Sequence, residues 1–201
     1  FGISERGLAA MLDLHIDEYG IRLLPDFAPL QIMIIPVYGN DDECTLDEYA
    51  HKIRGIVKRN YSVAIDSSNK NAGKKFAIAR QQGVPIRVGI SKYNRDNETV
   101  RVYIRTEEEP LEEVPLKSLD KIIDDSFSRI QNKLFEDADA FLNSKIFVAS
   151  NLDKVYESVK EGLIAKMYWC GDLSCLSKMN EKLPGELIGT QFDLNESGSC
   201  F

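Results

Sequence analysis

The apolar positions change period several times along the chain, and each change predicts an element. Leu8, Met11, Leu12, Leu14 and Ile16 recur at mostly helical spacing, which predicts a helix over 7–19 with Gly20 as its stop. Two prolines, Pro25 and Pro29, make the next stretch an extended connector. Residues 30–37 are nearly all apolar and rich in β-branched side chains, the pattern of a strand covered on both faces. Residues 39–42 break it. Thr45 and Glu48 then fit a capping box, opening a helix to about Arg59 with Tyr49, Ile53, Ile56 and Val57 on one face. A second short strand is expected over 61–65 and a polar loop over 66–73. A helix over 74–82 follows, with Phe76 and Ala79 as core contacts and Gly83 as terminator. Strands are expected over 85–90 and 99–105. The latter alternates strictly, with Val100, Val102 and Ile104 on one side and Arg101, Tyr103 and Arg105 on the other.

This order predicts an α/β fold: a mixed, mostly parallel sheet flanked by helices, with an antiparallel addition. Glu107, Glu108, Glu109 and Pro110, with Pro115 beyond, mark a linker. From Leu116 to about Leu142, Leu119, Ile122, Ile123, Phe127, Ile130 and Leu134 predict a long helix, and a small α+β domain is expected to start near it. A further helix over 152–165 and a short strand over 167–169 lead into a cysteine-bearing segment.

Charge sharpens the first half. Residues 51–106 hold thirteen Lys and Arg against Asp66, Asp96 and Glu98, within a chain of 25 basic and 32 acidic residues. A segment near +10 thus sits beside flanks near −17, although the net charge is −7. Such asymmetry points to a polyanionic partner for the basic part. Lys74 and Lys75 open a helix, where free N–H groups and the dipole favour an anion. Arg87 projects from a strand, and Arg101 and Arg105 flank Tyr103, pairing charge with stacking as single-stranded RNA binders do. A solvated strand face with Tyr103 packed under a helix is the alternative.

Cys170, Cys175 and Cys200 cluster near the end of the chain, and Trp169 and Gly171 beside Cys170 suit a tight knuckle turn. Three thiolates there suggest a structural metal site more than a disulfide framework, and a further cysteine would complete four ligands. Three unrelated thiols is the competing reading. Cys44 stands alone, as a buried or half-exposed thiol. No apolar run reaches the ~20 residues of a membrane helix, no secretory signal is visible, and a cytoplasmic protein is expected. His15 and His51 suggest no catalysis, and there is no Walker-type loop. The absence of an initiator Met suggests a fragment or a processed chain.

Together these residues resemble the C-terminal part of prolyl-tRNA synthetases of the archaeal and eukaryotic type. The run from Ala28 to Val37 is similar to the first strand of the class II anticodon-binding domain, preceded by a helix and the Leu24-Pro25 connector. Gly73-Lys74-Lys75-Phe76 and Gly83-Val84-Pro85-Ile86-Arg87 look like the family's helix and third strand. Arg95-Asp96 with Val100-Arg101-Val102 looks like its closing hairpin, and Trp169-Cys170-Gly171-Asp172 with Cys175 like its zinc-binding module. The opening Gly2-x-Ser4-x-Arg6 resembles class II motif 3, whose arginine binds ATP phosphate.

The resemblance implies three parts: 1–27 ending a catalytic domain, 28–115 binding the anticodon, and 116–201 as linker helix and zinc-type domain. It implies proline tRNA held by Lys74, Lys75, Arg80, Arg87, Arg101 and Arg105, although the family often has an acidic or aromatic residue where Arg80 stands. It implies zinc on Cys170, Cys175 and Cys200, ATP with magnesium at Arg6, and homodimerisation through a catalytic domain outside this sequence. The first two class II motifs are not in the sequence, so the segment alone is not expected to activate proline. The alternative is a stand-alone RNA-binding module or accessory subunit.

Overall fold

The computed structural model describes residues 2, 4–39, 43–190 and 200, without the side chains of 43 and 44, so the Cys44 thiol and the expected break at 40–42 lie outside the described residues. Two compact units result, Phe1–Phe135 and Glu136–Phe201.

The first unit opens with α1 (Glu5–Leu14), which is shorter than expected. A small antiparallel hairpin follows, β1 (Ile16–Asp17) and β2 (Gly20–Ile21). The helical spacing hid a turn. The Asp17 carboxylate accepts from the Tyr19 backbone N–H at 2.9 Å, and Gly20 takes φ +124°, a region other residues rarely adopt.

The main sheet comprises β3 (Ile32–Pro36), β4 (Val63–Ile65), β5 (Ile86–Ile90), β6 (Thr99–Ile104) and β7 (Leu111–Pro115), in the order β4-β3-β5-β6-β7. The β3 pairings to β4 and β5 are parallel and the two later ones antiparallel, so the sheet is mixed in equal parts. The expected linker thus supplies a fifth strand. Its Val114 pairs with Val100 and is buried, and a register shift beside Glu113, at φ +51°, marks a bulge on this edge.

One face of the sheet carries α2 (Glu43–Val57) and the first half of α5 (Leu119–Lys145). Ile32, Ile34, Ile86, Val88, Val100, Val102 and Ile104 meet Leu46, Ile53, Leu119, Ile123 and Ile130 in one core. That contact carries the first unit past residue 115 to Phe135, beyond the boundary suggested by Pro110 and Pro115. Helix α2 begins two residues before Thr45, so Thr45 is inside the first turn, where its hydroxyl accepts from Arg95. Buried Tyr49 donates to the Thr99 carbonyl at 2.7 Å, and burial pushes its hydroxyl pKa up to about 12.

The opposite face carries α3 (Ala72–Gln81). Asn71 caps it, accepting from the Lys74 N–H at 2.8 Å, and Gly83 ends it at φ +77°. Ile35, Ala79 and Val84, with Met33 and Phe76, form the small core beneath it. Between β5 and β6 lies α4 (Lys92–Asp96), a single turn closed by a Ser91–Asn94 capping box, where a plain hairpin was expected.

The second unit contains β8 (Ile146–Val148), α6 (Leu152–Lys160), β9 (Ile164–Lys166) and α7 (Leu173–Lys182). Strands β8 and β9 are parallel, as a crossover through one helix allows. Helix α6 is five residues shorter than expected, and its Asn151 cap accepts from the Lys154 N–H.

Candidate nucleic-acid interface and thiol cluster

Odd and even positions of β5 and β6 divide the basic residues from the core. Val88 and Val102 point into the large core, whereas Arg87, Gly89, Arg101 and Tyr103 lie on the face shared with α3. Helix α3 leaves part of that face open. Gly89 is needed there: a Cβ would stand 3.0 Å from Phe76 and 3.1 Å from Tyr103. Those two rings meet over the glycine, centroids 4.6 Å apart and tilted by 54°, giving an aromatic floor.

Arg87 lies beside this floor, its guanidinium carbon 5.8 Å from the Tyr103 ring centre. It is only 6% exposed, and its Nε has no hydrogen-bond partner among the described residues. Burial, and then the charges of Arg80 and Arg105, lower its pKa to about 10, so it remains a cation at neutral pH. Arg80, near the end of α3, also has an unpartnered buried Nε, and its guanidinium lies 3.4 Å from the centre of the Tyr19 ring. The face therefore holds two guanidinium groups with spare donors among three aromatic rings. Such a surface suits a planar, acceptor-rich or anionic group.

The other basic residues divide by burial. Lys74 is exposed in the first turn of α3, and Arg101 is exposed with a 2.6 Å pair to Glu112, both half open to water. Lys75 is 1% exposed, donates to the Asp66 carbonyl at 2.9 Å and lies over the Tyr38 ring. Arg105 is 2% exposed and fully engaged. Its Nη atoms donate to the Asp17 carboxylate at 2.9 and 2.7 Å and to the Gly20 carbonyl at 3.0 Å, and Nε donates to the Ile21 carbonyl at 3.2 Å. Lys75 and Arg105 thus hold the fold rather than face solvent, because their chemistry is already satisfied inside. Arg6 is exposed in the first turn of α1. Sequence reasoning missed Tyr19, whose signal was the Asp-Glu-Tyr-Gly turn.

The second unit gathers the cysteines. The sulfurs of Cys170, Cys175 and Cys200 all lie within 4.8 Å of one another. Gly171 turns the chain at φ +80°, the knuckle expected from the sequence, and Asp172 caps α7 so that Cys175 falls in its first turn. The Asp172 backbone N–H, with the two neighbouring thiols, holds the Cys170 pKa below the usual range. Cys175, hydrogen-bonded to Cys170, is pushed up to about 11. Tetrahedral thiolate coordination at ~2.3 Å places sulfurs about 3.8 Å apart. Three thiols at this spacing fit three corners of such a site.

Comparison with known proteins decides between a generic basic sheet and a particular one. Residues 31–126 match the family described as anticodon binding domain. Over 199 residues, 99% of the chain, it is 34% identical to a proline–tRNA ligase of Methanococcoides burtonii, covering 41% of that protein. A proline–tRNA ligase of Pyrococcus abyssi is 30% identical over 96% of the chain and 40% of its own length. The fold superposes with a TM-score of 0.79, at 26% identity, on crystalline prolyl-tRNA synthetase of Cryptosporidium parvum complexed with halofuginone and AMPPNP, covering 88% of this chain and 37% of that one. The same score and identity hold for that enzyme with L-proline and AMP. The chain spans about two-fifths of the length of these relatives. The matched segment includes the Arg87 face, all of the main sheet and the start of α5, while α1 and the β1–β2 hairpin precede it. Among the described residues no helix is long and apolar enough to cross a membrane.

Proposed function

We propose that this chain recognises the anticodon of proline tRNA, as part of an ATP-dependent ligase that joins proline to that tRNA. The observation that carries the reading is the pair of guanidinium groups, Arg80 and Arg87, left with unpartnered Nε atoms against aromatic rings on the open face of an anticodon-binding domain. In the proposed complex these two donate to a base edge, while exposed Lys74 and Arg101 neutralise backbone phosphates. Glu112 competes for Arg101, but exposed ion pairs of this kind are worth only ~0.2–1 kcal/mol and yield readily to a phosphate.

Arg6 is the candidate ATP-phosphate contact, with magnesium, in a catalytic site completed by residues outside this sequence. The second unit is read as a structural zinc domain, with Cys170, Cys175 and Cys200 as thiolate ligands. Zinc would lower all three thiol pKa values and tie the Gly171 turn to α7. A cytoplasmic homodimer completes the proposal.

Titration of the full-length protein with proline tRNA at several salt concentrations tests the reading. Arg101→Glu should weaken binding and flatten the salt slope by about one phosphate contact, and Arg87→Met should weaken binding with little change in slope. Unchanged affinity in both variants would refute the assignment of this face.

A further inference from the structure

Tyr19 lies outside residues 31–126, yet it stacks on Arg80 of the proposed RNA face. We propose that Tyr19 is a base-stacking residue: one side of its ring rests on the Arg80 guanidinium and the other receives an unstacked base of the bound tRNA. The inference rests on the RNA reading above and extends the site beyond the anticodon-binding domain.

Three observations carry it. Tyr19 is 48% exposed although a guanidinium lies 3.4 Å from its ring centre, so one side of the ring is covered and the residue is otherwise open. Its placement is also fixed. Asp17 accepts the Tyr19 backbone N–H, Arg105 grips Asp17 and the Gly20 and Ile21 carbonyls, and Gly20 sits directly on the backbone of Gln81 at the end of α3. Arg105 is thus the positioning residue of the hairpin. Finally, the surroundings select the kind of group received. Glu18, and more weakly Glu108, raise the Tyr19 hydroxyl pKa, and the same negative charge disfavours a phosphate there more than a neutral base stacked on the ring. Behind the ring the Arg80 guanidinium, with a buried Nε unpartnered among the described residues, supplies a positive charge that favours an electron-rich base. Preorganised in this way, the ring loses little conformational freedom on binding.

The test uses the full-length protein and an unmodified proline tRNA transcript at fixed salt. Base stacking on an aromatic ring predicts that Tyr19→Ala binds about tenfold more weakly, whereas Tyr19→Phe stays within about twofold of the unaltered protein. Since Tyr19 is half exposed, both variants should melt as the parent does. Tyr19→Trp should retain affinity and show indole quenching on RNA addition beyond any change in the emission of the parent protein under the same conditions. Tyr19→Ala binding with unchanged affinity overturns the inference while leaving the RNA reading intact. Tighter binding by Tyr19→Ala also overturns it, making the ring a cover that RNA must displace. Absence of quenching in a Tyr19→Trp protein that still binds has the same force. If the unaltered protein does not bind the transcript, both the RNA reading and this inference fall.

Discussion

Asp17→Asn tests the hairpin clamp directly. The substitution keeps the side-chain shape and removes the charge that faces Arg105. The Arg105 side chain is 1% exposed, and two of its four donated hydrogen bonds end on the Asp17 carboxylate. Breaking a fully buried pair costs ~3–5 kcal/mol, because the surviving charge stays buried without its partner. Two features reduce that here: the Asp17 side chain is 29% exposed, so water reaches the defect, and the Gly20 and Ile21 carbonyls still accept from the guanidinium. A loss of about 2 kcal/mol follows.

Trp169 lies in the second unit, so its emission does not report on this loss, and amide hydrogen exchange in β5 and β6 is the suitable assay. A 2 kcal/mol loss corresponds to roughly thirtyfold faster exchange of the amides that need global opening of the first unit. The Arg105 guanidinium, beside the carboxylate, holds the Asp17 pKa below its ordinary 3.8. A depressed carboxyl pKa stabilises the fold above the ordinary value, and that contribution fades as pH falls through the lower folded-state value. The gap between Asp17→Asn and the parent should therefore be full at neutral pH and should close below about pH 3.8. The double variant Asp17→Leu with Arg105→Met should lose less than Asp17→Asn alone, since no buried charge is stranded. Exchange in Asp17→Asn within threefold of the parent at neutral pH would refute the clamp.

Other substitutions probe separate links. Gly20→Ala places a Cβ 2.5 Å from the Gln81 Cα and carbonyl oxygen at φ +124°, and should destabilise the first unit by about 2 kcal/mol or more, read as a lowered melting temperature. Gly89→Ala pushes on Phe76 and Tyr103 at 3.0 and 3.1 Å; a cost of about 1–2 kcal/mol is expected, with proline tRNA affinity falling several-fold as the rings tip. Cys170→Ser in the full-length protein should remove stoichiometric zinc, measured by atomic emission, and unchanged zinc content would exclude this cluster as its site.

The elements that were legible in the sequence are those set by local rules. The β-branched run at β3, the strict alternation of β6, and Gly83 behind α3 each appear where pattern and stop signal agree. The misses arise where distant residues decide. Strand β7 was hidden because Pro110 and Pro115 read as linker, although proline is tolerated at the end of an edge strand. The α1 pattern ran on through Ile16 because apolar spacing cannot reveal that Asp17 is held by an arginine 88 positions away. At the site, Lys74 and Lys75 are neighbours of one type, yet the helix turns one to water and the other under the Asp66 carbonyl. Arg105 continues the alternation of Arg101 and Tyr103, but β6 ends at Ile104 and its side chain enters the hairpin instead.

Four of the basic residues inside or beside this face, Lys75, Arg80, Arg87 and Arg105, also show what distinguishes a structural charge from one kept for a ligand. Burial alone does not, since Lys75, Arg87 and Arg105 are all more than nine-tenths covered. The accounting of partners does. Arg105 uses four donated bonds and a carboxylate, and Lys75 a carbonyl and an aromatic face. Among the described residues Arg87 has the distant Tyr103 ring and two repelling cations, and Arg80 the Tyr19 ring. An unpaired buried guanidinium works against folding, because desolvation is not returned in hydrogen bonds. The large core of α2, α5 and the sheet offsets that loss on the opposite face, so the fold tolerates incompletely satisfied guanidinium groups at the place where a ligand would be bound.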